Sequence, residues 1–340
     1  MTALAGRVAA AVRPRRRRSR EAAVGAALVV VVLVLVVASL GLGQFRLTPG
    51  EVLRALAGDG LGHVVVVQWR LPRALAAVVL GFGLAVSGAL FQTVTRNPLA
   101  SPDVVGLAHG AFTGVLVALV LGAGSWTVLT ASAVAGGLAA ALAVWLLASG
   151  GAVGGLRLVV VGIGVSALLA SVNTWLLLQV ELDVAMFASA WGAGSLNGVT
   201  AVQALPAGVL VAVLVLGALA LARSLRQLDL GDDVAAATGV RVARVRAVAL
   251  VLGVLLVCVA TAVVGPVAFV ALVSPHVARR LARTPHQPLL LSGAVGSLLL
   301  LASDVVAQHL LPVPLPAGVV TVSLGGAYLV HLVAREVRRR

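Results

Sequence analysis

Residues 70–114 read RLPRALAAVVLGFGLAVSGALFQTVTRNPLASPDVVGLAHGAFTG. Arg70 and Arg73 open a long apolar run with small residues at helical spacing. The run closes at Gln92 and gives way to a polar, proline-punctuated turn, Arg96-Asn97-Pro98-Leu99-Ala100-Ser101-Pro102. A second glycine-rich apolar run follows. A run of about 20 apolar residues is long enough to cross the hydrocarbon core as a helix. The stretch therefore reads as a membrane helix, a tight polar turn and another membrane helix.

The rest of the chain agrees. Of its 340 residues 61% are hydrophobic and only 11% charged, and the mean hydropathy is +1.11. Soluble domains are roughly 45–50% apolar and about 25% charged, so the expected class is an all-α polytopic membrane protein. One cysteine, Cys258, lies in an apolar run. A lone cysteine excludes a disulfide framework and argues against a metal or iron–sulfur site.

All 25 basic residues are arginine. A P-loop needs a lysine to reach the phosphates, and Schiff-base chemistry needs one as nucleophile. The chain is thus no conventional ATPase. The net charge of +14 is not interleaved with aromatics, which make up 4%. The arginines flank apolar runs, which points to membrane orientation rather than nucleic acid.

Ten apolar spans are expected, over about 22–42, 68–92, 104–122, 126–148, 157–180, 203–223, 246–264, 266–279, 288–308 and 317–334. The eighth is too short to cross unaided. RPRRRRSR at 13–20 anchors a basic tail, 1–21, on the cytoplasmic side. The first apolar stretch exceeds the 7–15 residues of a typical signal-peptide core, so it reads as an uncleaved helix. With both termini cytoplasmic and ten crossings, 21 of the 25 arginines fall inside; Arg46, Arg54, Arg70 and Arg73 fall outside. The predicted domains are the tail, a helical bundle over 22–336, and a basic C-terminus at 337–340. The pairs Gly81/Ala85, Gly83/Ser87 and Gly293/Ser297 are small-xxx-small contacts that let membrane helices approach closely.

The longest polar loop spans about 224–246. Asp232 is a candidate N-cap for a short helix over 234–237, and Gly239 a candidate C′ residue. Val240 to Arg246 would form a second short element. The short helix could be a rigid knob for a cytoplasmic partner, or the loop a solvated connection stapled by Arg–Asp pairs.

Five blocks resemble the FecCD family of ABC-importer permeases, which serves iron–siderophores, haem and vitamin B12. They are RLPR…SGALFQ…RNPLASPDVVGL, Trp191-Gly192-Ala193-Gly194-Ser195-Leu196, LDLGDDVAAATGV at 228–240, GPVAFVALVSPHVARRL at 265–281, and Asp304 with LPAGVVT at 315–321. The resemblance covers nearly all the chain beyond residue 45. It implies a ten-helix bundle with a short cytoplasmic coupling helix, paired with a second permease chain. It also implies two ATP-binding subunits and an extracytoplasmic binding protein. No cofactor belongs to the chain itself, since ATP would sit on the partner, and no catalytic residue is expected.

By the same resemblance, Arg70 and Arg73 meet carboxylates of the binding protein; interfacial snorkelling is the alternative. Asp232, Asp233, Ala236, Thr238 and Gly239 belong to the coupling surface. Gln92, Asn97, Asn173 and Asp304 are polar groups that line the pathway or hold helices together. Asp304 in an apolar span costs about 2.5–3.5 kcal/mol on an insertion scale, which favours a functional or paired role. Asn173 with Thr174 is a candidate interhelical hydrogen-bonding pair. His276 has no second ligand at i+3 or i+4, so it reads as structural or coupling rather than metal-binding. Three positions and one stretch depart from the family pattern: Gln308, Pro314, Ala271 and Arg283-Thr284-Pro285-His286. The first two touch the outer mouth and favour a heterodimer in which the partner supplies the missing groups.

Two other classes fit poorly. An ion-coupled secondary transporter places charged residues at the midplane, and this chain has almost none there. A membrane enzyme needs clustered His, Asp or Glu, and the six histidines are scattered. The cargo is not encoded in any side-chain pattern; ferric siderophore leads, with haem and cobalamin behind.

Overall fold

Membrane helices must satisfy their backbone internally, and every element found is helical. The computed structural model describes residues 14–337 apart from 44, 59–60, 104–105 and 149–154. Most of the basic tail and the C-terminal 338–340 thus lie outside the described residues. In chain order the α-helices longer than one turn are α1 (Pro14–Gly41), α2 (Pro49–Leu56), α3 (Leu71–Thr95), α4 (Leu107–Val120), α5 (Trp126–Ala148), α6 (Gly155–Leu177) and α7 (Leu182–Gly192). They continue as α8 (Ala201–Ala220), α9 (Ala222–Leu228), α10 (Asp232–Ala237), α11 (Val242–Val264), α12 (Val270–Ala282), α13 (Leu289–His309) and α14 (Ala317–Val337). Seven of the described helical spans are long and apolar enough to cross a membrane.

The second span is longer than the sequence suggests. A π-helical stretch, Val64–Arg70, runs straight into α3. Together they give an apolar span of 32 residues, Val64–Thr95. α3 is the central helix: it is buried along most of its length and packs on α8, α11, α12 and α13. Its small residues make this possible. A Cβ on Gly81 would stand 2.5 Å from the Gly296 carbonyl, and one on Gly88 would collide with the Ala271 carbonyl. Hydrogen bonds reinforce the close approach: Ser87 Oγ donates to Gly253 O and Ser297 Oγ to Val78 O, each at 2.7 Å.

Two of the expected spans form short helices. α4 has 14 residues and α12 has 13. At 1.5 Å per residue each covers about 20 Å of a ~30 Å hydrocarbon core. The third span expected over 104–122 shrinks to Leu107–Val120, and the eighth, expected over 266–279, begins instead at Val270 and runs to Ala282. The reason lies in the segments before them. His276 Nε2 meets Pro98 O at 2.7 Å, while Phe269 N donates to Asp103 Oδ2 at 3.2 Å. Residues 98–103 therefore run antiparallel to α12 for about seven helical residues, or about 10 Å.

Three helices were not anticipated from the apolar runs. α2 is capped by a reciprocal Thr48–Glu51 box and buries Val52 and Ala55. α7 carries Trp191 and leads into the loop that begins at Ala193, and α9 continues the end of α8.

Candidate functional site

Opposite ends of the bundle carry different polar clusters. At the arginine-rich end, α10 is a two-turn helix held between α9 and α11. The Asp232 carboxylate accepts from Arg96 Nη2 at 2.5 Å and from Arg246 Nη2 at 2.9 Å. Arg96 Nη2 also donates to Leu228 O at 2.9 Å. Asp232 is thus not the N-cap. Gly231, at φ 121°, occupies that position, and Asp232 begins the helix, which runs Asp232–Ala237 rather than 234–237. Its carboxylate turns away from the backbone toward two guanidinium groups, which hold it more strongly than a neutral amide would.

Thr238 closes α10, and Gly239 follows at φ 85°, a left-handed position that suits glycine. Ala235 is buried, whereas Asp233, Val234, Ala236 and Thr238 face outward. The expected second element, Val240 to Arg246, is instead the beginning of α11. Nearby, burial pushes the Asp229 carboxyl above the ordinary range, opposed by His286, Arg279 and Arg96.

Residue 96 also starts a braced segment. Arg96 adopts φ 50°. Asn97 Oδ1 accepts from Leu99 N at 2.9 Å, making an Asx turn, so Asn97 shapes the turn. Ala100, Ser101 and Pro102 are buried. Gln92 Nε2 donates to Leu272 O, and Gln92 Oε1 accepts from Gln287 Nε2, both at 3.0 Å. This amide ties α3 to α12 and to the turn after it.

At the far end, Arg70 Nη1 and Nη2 donate to the carbonyls of Leu40 and Phe45, each at 2.7 Å. Arg73 forms a bidentate pair with Asp304: Nε to Oδ2 at 2.8 Å and Nη2 to Oδ1 at 2.6 Å. Its remaining nitrogen, Nη1, donates to Asn197 Oδ1 at 2.7 Å. Asp304 therefore has its partner, and one guanidinium joins α3, α13 and the loop after α7. Beside this cluster Gln308 Nε2 donates to Leu315 O at 3.0 Å. Gln308 and Pro314 share a cleft of ≈ 360 Å³ with Arg70, Arg73 and His309.

Between the ends lies a cavity of ≈ 590 Å³ lined by Asp103, His109, Phe112, Asn173, Thr174, Pro266, Gly318 and Ser323, among others. It opens between α4, α6 and α14. Asn173 is buried, donates Nδ2 to His109 O at 3.2 Å and accepts from Thr113 Oγ1 at 2.6 Å. It binds α6 to α4. The cavity roof is a convergence of tight turns: Gly318 N donates to Gly194 O at 2.8 Å and Ser195 N to Val264 O at 2.7 Å. Among the described residues no group of three or more His, Cys, Asp or Glu could hold a metal ion.

The sequence profile of the FecCD transport family matches residues 31–335. The chain belongs to that family. It is 46% identical over 301 residues to the ferric enterobactin transport system permease protein FepG of Escherichia coli K12, spanning 88% of this chain and 91% of that protein. It is 34% identical over 312 residues to the iron(3+)-hydroxamate import system permease protein FhuG of Bacillus subtilis, spanning 87% and 92%. The fold superposes on a metal-chelate type ABC transporter captured in an inward-facing conformation, with a TM-score of 0.80 and 28% identity over 92% of this chain and 99% of that one.

Four residues of this FecCD chain escaped sequence reasoning. Arg96 and Arg246 were read for membrane orientation and as bounds of the polar turn and loop, not as partners of Asp232. Asp103 and His109 were read within the opening stretch but not singled out. The available signal for Asp103 was an acid set between Pro102 and an apolar run.

Proposed function

We propose that the chain is the membrane-spanning permease of an ABC importer and forms half of the translocation pathway for an iron(III)–siderophore chelate. The observation that carries this reading is the 46% identity to a ferric enterobactin permease over nine-tenths of that protein's length, together with an exposed, rigidly anchored knob at the arginine-rich end. That end faces the cytoplasm, as the excess of arginine requires, and both termini lie there.

The chain hydrolyses nothing and carries no cofactor; two ATP-binding subunits bind ATP, and one of them seats against α10 of this chain. Asp233, Ala236, Thr238 and Gly239 form or shape the contact, and Asp232 holds it in place. A substrate-binding protein docks on the far end around Arg70 and Arg73. Because both guanidiniums already have internal partners, its carboxylates must share or displace those partners. A second permease chain closes the open side of the cavity along α6 and α14, whose outer faces carry exposed apolar residues such as Ile163, Leu168 and Val322. Gln308 and Pro314 at the outer cleft favour a different partner chain over a second copy.

The test is growth of a deletion strain on defined iron sources. Loss of growth on a ferric siderophore, restored by the intact gene, is expected. Normal growth on every ferric chelate, with loss of haem or cobalamin uptake, would move the cargo to those groups.

A further inference from the structure

The segment from Arg96 to Asp103 is anchored at both ends to parts with different tasks. Its first residue grips the knob: Arg96 reaches the Asp232 carboxylate and the Leu228 carbonyl that precedes α10. Its last residue lines the cavity and accepts the first backbone N–H before α12. Between them His276 of α12 meets Pro98 O. The Asx turn at Asn97 and two prolines limit bending, since proline fixes φ. Buried Ala100 and Ser101 leave the segment little room to slide independently.

We propose that residues 96–103 are the mechanical link between the coupling helix and the cavity, with Arg96 and Asp103 as its positioning residues. A movement imposed on α10 pulls Arg96 through the Asp232 pair. Because the segment is braced, the displacement arrives at Asp103 and at the start of α12, and it changes the cavity wall. Arg246, on α11, holds the same carboxylate and would carry the displacement to a second helix; it does not reach the segment. This inference rests on the reading of α10 as the ATPase contact.

The test uses the assembled importer in proteoliposomes, with Cys258→Ala removing the single native thiol. Thr174→Cys, exposed in the cavity, is labelled with a water-soluble maleimide in nucleotide-free and ATP-trapped states. The unaltered link should give a labelling rate that differs severalfold between the states. Arg96→Ala should abolish that difference and lower cargo moved per ATP by about tenfold, the size of an ordinary coupling free energy. Assembly and basal ATPase activity should persist, and Arg96→Lys should restore much of the contrast. Asp103→Ala, at the other end, is read in the same way and serves if the Arg96 variant fails to assemble. A nucleotide-dependent difference that survives in both alanine variants would overturn the proposal. The labelling contrast needs no cargo, so its outcome is separate from failure of the importer to take up any iron chelate, which would count against the functional reading instead.

Discussion

Removing either member of the Arg73–Asp304 pair should destabilise the outer end, and unequally. The Asp304 side chain is 8% exposed and that of Arg73 is 23% exposed. Arg73→Ala leaves a nearly buried carboxylate without a cation, for which breaking a buried pair costs about 3–5 kcal/mol. Asp304→Ala leaves a guanidinium that keeps Asn197 and can lean toward water, so its cost should be about 1–3 kcal/mol. The double alanine variant lacks both charges and should fall well short of the sum. The coupling energy is expected at about 2–3 kcal/mol, within the range for residues in direct contact. Cys258 supplies the assay. It is buried and the only thiol, so its labelling by a fluorescent maleimide in detergent tracks opening of the bundle. At about tenfold per 1.4 kcal/mol, Arg73→Ala should label more than a hundredfold faster than the parent. Labelling rates whose logarithms simply add across the two single variants would refute the reasoning.

Three further outcomes follow from the same geometry. Ala236 is exposed on α10, so Ala236→Arg should change stability by no more than about 0.5 kcal/mol, yet transport and cargo-stimulated ATPase activity should collapse together; normal coupled transport would show the 228–240 loop to be a mere connection. A Cβ at Gly239 meets no neighbour within 4 Å, so Gly239→Val should act through backbone strain at φ 85°, costing about 1–2 kcal/mol; a thermal midpoint equal to the parent's would exclude it. Reporter fusions after Arg20 and after Arg335 should both read as cytoplasmic and one at Asp183 as external, and an inverted signal at Asp183 would break the assigned topology.

Apolar length made the long helices readable, because a run without charge has few other stable homes. The limits of α4 and α12 were not readable, since hydropathy reports composition and not depth. Nothing in RNPLASPD says that this polar-looking turn climbs beside α12; only the contacts of Pro98 and Asp103 show it. The Gly239 turn was legible from glycine placed after an alanine run. The role of Asp232 was not, because its partners stand 136 and 14 residues away in sequence. Asp304 stood out as a costly charge and Arg73 as a cation at a helix end, but spacing could not pair residues 231 apart. The Thr48–Glu51 box that starts α2 carries the Thr-x-x-Glu signature and is legible in the sequence.

As proposed, this chain is a passive pathway moved by a separate ATPase through α10. It is tested most directly by uptake of radiolabelled ferric siderophore into proteoliposomes holding the chain, its partner permease and the ATP-binding subunits, with cargo-loaded binding protein and ATP on their respective sides. ATP-dependent accumulation is expected, and it should vanish when either the ATP-binding subunits or the binding protein is withheld. Accumulation that persists without the ATP-binding subunits would contradict it.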